Sequence, residues 1–267
     1  MEAAPGRRRP GNPEEGPRPV GTLDAYLAAV AAGMSRALGP ALVGVYLHGS
    51  AALGGWDPAS GDVDLLVVAD RPLDRGEKQV VGARLQHPSL HSPGTGLELS
   101  VITAAVAADP PRLPPWELHV VTGRERKVAD GAGHPGDPDL VFYFAVCRRA
   151  GIAVAGPPPG EVFAEPPRAW LLERAAEELR WAVGHGASFA YRVLTACRAW
   201  RFLDEDMLDS KIGAGEWARP RLPDPGLVDA ALAAQRALAP MPASAADIGA
   251  ADRFVATVLG RFAEASG

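Results

Sequence analysis

The stretch 46–69, YLHGSAALGGWDPASGDVDLLVVA, limits the possible fold more than any other part of the chain. It opens at the end of an apolar run, LVGVYLH, and closes on a second, VDLLVVA. Short apolar runs bounded by turn residues read as buried strands. Between them lie a glycine-serine turn, Gly49-Ser50, and eleven further residues. Side chains alternate across a strand, so Asp62 and Asp64 share one face at the head of the second run. Two like charges there repel each other and resist burial. They require solvent or a cation.

A cation suits the neighbouring residues. Glycine allows close backbone approach, and the amides and hydroxyl at Gly49-Ser50 can bind phosphate. Carboxylates are hard oxygen ligands for Mg²⁺, which bridges to phosphate oxygens. The pattern therefore points to magnesium-bound triphosphate. A third acid, Glu98, sits in the strand-like run LELSVI at 97–102. It could join the metals, take a proton from an attacking hydroxyl, or face water from an edge strand.

Around this centre the chain divides in two. Residues 1–20 are rich in Pro, Gly and charge and are expected to be a disordered tail. Leu23, Tyr26, Leu27, Val30, Met34 and Leu38 follow helical spacing, with Thr22 as cap and Gly39-Pro40 as stop. A short helix is expected around 76–86, a third strand at 97–102 and a fourth at 116–121. Gly/Asp-rich loops then run to about 136. Asp137-Pro138-Asp139 reads as a helix start capped by Asp137, with Pro138 at the first helical position. From there only helices are expected: 140–150, then about 168–183, 188–204, 210–219, 226–238 and 245–264. An α/β unit at 21–130, a small mixed sheet with flanking helices, is thus followed by an all-α unit at 137–264.

Composition excludes several classes. The chain has 267 residues, is 47% apolar and carries a formal net charge of −5. That suits a globular protein with a real core and argues against nucleic acid as partner. No apolar run approaches the about 20 residues that span a membrane. Arg7, Arg8 and Arg9 are followed by no apolar stretch, so no secretory signal is expected. Cys147 and Cys197 lie in apolar helical segments and read as buried thiols of a reducing cytoplasm. A monomer is expected.

HGSAALGGWDPASGDVDLLVV resembles the signature of the DNA polymerase beta-like nucleotidyltransferases. More narrowly, residues 22–262 resemble the aminoglycoside adenylyltransferases that modify streptomycin and spectinomycin. The second point of likeness is LTACRAWRFLDEDMLDSKIGAGEWARPRLP, residues 194–223. The resemblance implies transfer of AMP from ATP to a drug hydroxyl, with release of pyrophosphate. It implies that Asp62 and Asp64 hold two Mg²⁺ ions and that Ser50, beside Gly49, contacts the phosphates. It makes Glu98 the catalytic base, with Arg198 and Lys211 reaching the triphosphate from the helical half. The acceptor is then a small, hydroxylated, cationic molecule, best matched by streptomycin or spectinomycin. A non-drug metabolite or protein acceptor, or a non-catalytic nucleotide-binding module, are the rival readings.

This chain departs from the resemblance in places. Gly61 stands where a serine is usual before the first metal aspartate. No acid lies between Gly184 and Arg198, where the streptomycin enzymes place them. Weaker streptomycin binding than the resemblance implies is therefore expected, unless Glu205, Asp206 or Glu216 reaches the cleft.

Overall fold

A computed structural model describes residues 22–123, 125–237 and 243–265; the expected tail at 1–20 lies outside them. The elements, in order, are α1 (Leu23–Leu38), β1 (Leu42–Leu47), α2 (Gly49–Ala52), β2 (Val63–Ala69), α3 (Arg75–Leu85), β3 (Leu97–Thr103), α4 (Ala104–Ala108), β4 (Leu118–Val121), β5 (Lys127–Asp130), α5 (Leu140–Ala150) and β6 (Ile152–Ala155). They are followed by α6 (Pro159–Val162), α7 (Arg168–Gly184), α8 (Phe189–Glu205), α9 (Lys211–Ala218), α10 (Gly226–Arg236) and α11 (Ala245–Ala265). The N-terminal part is α/β and the C-terminal part is helical.

The strands form one mixed sheet in the order β5-β4-β3-β2-β1-β6. Only β2 and β3 run parallel; the other pairs are antiparallel. Burial on both faces explains why β2 is apolar throughout. Val63, Leu65 and Val67 face α1 and α3, where Val30, Met34, Val81 and Leu85 cover them. Leu66 and Val68 face the other way, onto Leu140, Phe144 and Cys147 of α5 and onto Phe163. By alternation, Asp64 belongs to this second face.

The first helix follows its sequence signals. Thr22 caps it by accepting the Ala25 N–H at 3.2 Å, and Gly39 ends it at φ 54°. Asp74 and Glu77 form a reciprocal capping box on α3. In the helical part, α8 is the central element and packs against α7, α9, α10 and α11. Gly215 brings α9 close to α8 and α10: a Cβ there would lie 2.8 Å from both Leu194 and Leu232.

Three expectations are corrected. Helices do not run unbroken after 137, because β6 pairs with β1 at the sheet edge, and α5 and Phe163 pack on the sheet face. The strand has four residues, and its conformation is set by pairing with β1 rather than by any pattern of its own. The loop region before 136 contains β5, a short polar edge strand registered with β4. Helix α5 covers the expected 140–150, but its cap residue is Asp139 rather than Asp137, and Pro138 lies outside it. Asp137 does make a capping bond, from the Asp139 N–H at 2.9 Å, but to a turn that leads into the helix.

Candidate active site

The parallel pairing of β2 and β3 sets Asp64 opposite Glu98. Asp62 lies two residues upstream on the same face. Each of the three carboxylates offers an oxygen within 4.8 Å of the others. Because β3 lies between β2 and β4, Glu98 is not on an edge strand. Of the three, Asp62 is exposed and Asp64 and Glu98 are half-buried.

Electrostatics record the crowding. The Asp64 carboxyl is pushed well above the usual range by burial, then by the charges of Asp62 and Glu98; a Ser50 backbone N–H and Lys211 oppose this. Glu98 is raised by burial and by Asp62, and lowered by its bond from Tyr143. A compact set of hard oxygen donors with excess negative charge fits one or more divalent cations such as Mg²⁺.

The Gly49-Ser50 turn forms the back of this cluster. Gly49 adopts φ +61°, and a Cβ on it would lie 1.9 Å from Asp64 Oδ2. No side chain fits there. The preceding residue, His48, is buried; its backbone N–H donates to the Asp64 carbonyl at 3.0 Å. Burial lowers its imidazole to about 3, against a hydrogen bond with the Leu65 backbone. The ring packs on Tyr143, with centroids 4.7 Å apart. Tyr143 in turn donates its hydroxyl to Glu98 Oε1 at 3.3 Å.

The departure at Gly61 has a local explanation. A Cβ there would lie 2.7 Å from Trp56 Cδ1, so the Trp56 indole fills the place a side chain would take. Its Nε1 donates to the Asp62 carbonyl at 2.7 Å, tying the spacer to the start of β2.

The helical part meets this cluster directly. A Cβ on Gly55 would lie 2.2 Å from Ser210 Oγ, the hydroxyl that caps α9 by accepting the Gly213 N–H at 3.0 Å. Lys211 follows that cap. Its ammonium sits 4.2 Å over the Tyr191 ring and feels the charges of Asp62, Asp64 and Glu178. Burial and then Arg198 lower it to about 8 nonetheless. Arg198 makes no hydrogen bond or ion pair among the described residues. The residues expected at the metal and nucleotide site are gathered here: Gly49, Ser50, Asp62, Asp64 and Glu98 from one part, Arg198 and Lys211 from the other.

Arg198 also lines an open-mouthed cavity between α5, α7 and α8. Tyr143 joins this cavity to Glu98. Its acids are Asp139, Glu178 and Asp209. None of the three acids suggested by the sequence lines it. Glu205 bonds Trp217 and Arg221, Asp206 bonds Arg149 and Arg168, and Glu216 bonds Arg236. His48, Tyr143, Asp139 and Glu178 carried no sequence signal that separated them from core or solvent-facing residues.

Residues 33–114 match the nucleotidyltransferase domain, and residues 161–258 match the aminoglycoside adenylyltransferase C-terminal domain. A spectinomycin 9-adenylyltransferase of Staphylococcus aureus is 30% identical over 193 residues, covering 69% of this chain and 74% of the relative. The chain belongs to the aminoglycoside adenylyltransferase family. An aminoglycoside (3'') (9) adenylyltransferase of Klebsiella pneumoniae is 29% identical, covering 76% of this chain and 81% of the relative. The fold matches that of the spectinomycin adenyltransferase AAD(9) from Enterococcus faecialis, solved with ATP and spectinomycin, at TM-score 0.67 and 16% identity, covering 90% of this chain and 99% of that one. Membership in this family makes the chain an enzyme of the nucleotidyltransferase kind.

Proposed function

We propose that the chain transfers AMP from ATP to a hydroxyl of a spectinomycin- or streptomycin-type acceptor, releasing pyrophosphate. The observation that carries this reading is the meeting of three carboxylates, at the head of β2 and on β3, with two cations, Lys211 and Arg198, from the helical part. In this reading residues 21–130 supply the metal and nucleotide site and residues 137–264 close over it. The reaction belongs in the cytoplasm, where ATP is available and the buried thiols of Cys147 and Cys197 stay reduced.

Asp62 and Asp64 would hold the two Mg²⁺ ions. Bound there, the metal neutralises triphosphate charge and stabilises the attacking and leaving oxygens. Gly49 leaves room for that close approach, and Ser50 lies beside the phosphates. Lys211 and Arg198 supply charge-assisted contacts to the triphosphate from the opposite side. Glu98 accepts the proton of the acceptor hydroxyl as its oxygen bonds to the α-phosphorus and the bond to pyrophosphate breaks. A carboxylate raised by burial and neighbouring acids is a stronger base than a solvated one, which suits that task. The Tyr143 hydroxyl holds Glu98 in place.

The test is magnesium-dependent pyrophosphate release with ATP and a panel of hydroxylated acceptors. Release with spectinomycin or streptomycin, and adenylylated drug by mass spectrometry, is the expected result. Release with neither, while a non-aminoglycoside acceptor reacts, would sink the drug-modifying reading and keep the adenylyl transfer.

A further inference from the structure

We infer that Arg174 is a specificity-determining residue: it ties up the carboxylates a guanidinium-bearing drug would need, so the cavity favours hydroxylated acceptors of low positive charge. The inference rests on the reading of this cavity as the acceptor site.

Two donors of one guanidinium are spent on acids of the cavity wall and the third on Glu177 just outside it. Arg174 Nε meets Asp139 Oδ1 at 2.7 Å, Nη1 meets Glu177 Oε2 at 3.1 Å, and Nη2 meets Glu178 Oε2 at 3.1 Å. The side chain is only 17% exposed. The third acid of the lining, Asp209, pairs with Arg201. Arg198 adds a positive charge with no such partner among the described residues. Each acid of the cavity lining is thus already paired with an arginine of the chain itself.

A guanidinium entering such a site must share Asp139 and Glu178 with Arg174 or displace it. Displacement would strand a half-buried cation, and the loss of one partner of such a pair is costly. A cyclitol with hydroxyls and methylamino groups, such as spectinomycin, makes a smaller demand than streptomycin with its guanidinium groups. The cavity also carries an unused polar group. Thr195, which lines it, is 5% exposed, and its buried hydroxyl has no hydrogen-bond partner. A helical threonine commonly bonds back to the carbonyl of the preceding turn, and this one does not. A buried hydroxyl left unpaired is costly, and an acceptor hydroxyl or carbonyl would satisfy it. The faces of Phe142 and Phe202 supply the apolar remainder.

A purely structural Arg174, tying α7 to the start of α5, would affect both drugs alike. The discriminating readout is therefore the ratio of kcat/KM for streptomycin over spectinomycin, measured on the full chain with MgATP. The wild type should favour spectinomycin. Arg174→Met keeps the apolar stem and frees Asp139 and Glu178, and should raise the ratio by about tenfold or more, chiefly through KM. Arg174→Lys keeps the charge and should stay near the wild-type ratio. Thr195→Val should raise KM for spectinomycin about five- to tenfold. Should Arg174→Met fail to fold, Arg174→Met/Glu177→Gln relieves the freed acids and carries the same expectation. A ratio that stays within about twofold of wild type in the charge-removing variant, or a wild type that prefers streptomycin, overturns the inference. A wild type that turns over neither drug removes the reading on which it rests, and that outcome is distinct from an unchanged ratio.

Discussion

Asp64 and Glu98 face each other across the one parallel strand pair of the sheet, with Asp62 beside them. The relationship joins fold to chemistry. Parallel pairing puts the ends of both strands at the same side of the sheet, so acids from two distant segments converge. Burial raises Asp64, and the neighbouring charges raise it further.

The first prediction follows from that crowding. A carboxyl whose folded pKa is raised binds protons more tightly in the native state than in the unfolded chain. Its contribution is present below the ordinary carboxylate pKa and is lost as pH rises through the raised value. At neutral pH without metal, Asp64 therefore weakens the fold. Asp64→Asn should raise the melting temperature in chelator, and a gain of about 1 kcal/mol would read as ~2–4 °C in a chain of this size. Mg²⁺ should stabilise the wild type more than the variant, while the variant loses turnover. A variant that melts lower in chelator, or that keeps near-normal activity, contradicts the assignment.

The second concerns Lys211, held at about 8 by burial and by Arg198. As pH rises from 7 to 9 the ammonium loses its proton, and with it one charge-assisted contact to the triphosphate. MgATP affinity should fall across that window by about 5- to 10-fold, because the protonated fraction of Lys211 in the free protein drops about tenfold there and a contact of roughly 1.5–3 kcal/mol holds the proton in the complex. In Arg198→Ala a repelling charge is gone, so the midpoint should move to higher pH even as overall affinity drops. Lys211→Ala should bind weakly at every pH and lose the transition. Calorimetric titrations at a series of pH values measure all three. An identical pH dependence in wild type and Lys211→Ala would remove Lys211 from the nucleotide site.

Much of this was legible in the sequence, for reasons that can be named. Strand alternation placed Asp62 and Asp64 on one face, and turn chemistry marked Gly49. Long periodic segments announced α1, α7, α8 and α11 to within a residue or two. What was not legible depends on contacts between distant residues. Strand β6 has no pattern of its own and exists because β1 offers it an edge. Tyr143 looks like one apolar position among several in LVFYFAV, and only packing turns its hydroxyl to Glu98. The acids of the cavity were sought in the 184–198 segment and at Glu205, Asp206 and Glu216. They come instead from Asp139, Glu178 and Asp209, because α5, α7 and the segment after α8 meet at the cavity.

The third prediction is steric. Gly49 combines a left-handed backbone with a Cβ position that falls on the Asp64 carboxylate. Gly49→Ala should cost about 1–3 kcal/mol from backbone strain alone, before the displacement of Asp64 is counted. Turnover should drop by more than stability does, since Asp64 must move. Thermal melts and steady-state rates at a temperature where the variant is folded separate the two effects. Gly55→Ala, whose Cβ would meet Ser210 rather than Asp64, should leave the Asp64 carboxylate in place and keep more activity. Equal activity losses in the two variants would argue against a special role for the first.

The last prediction isolates the base. The Tyr143 hydroxyl donates to Glu98, and a bond to the charged form lowers a carboxylate pKa. Tyr143→Phe removes that bond and keeps the ring that packs on His48. Glu98 should then hold its proton to higher pH, and the acid limb of kcat/KM should shift to higher pH. The rate at a pH above both limbs should fall less than the rate near neutrality, because the base itself is intact. Glu98→Gln, by contrast, should lose about 10²–10⁴ in rate at every pH and show no acid limb of this origin. MgATP affinity should survive Glu98→Gln if Asp62 and Asp64 alone hold the metals, and fall with the rate if Glu98 is a ligand too. An acid limb that does not move in Tyr143→Phe would mean that the group titrating in the pH profile is not Glu98.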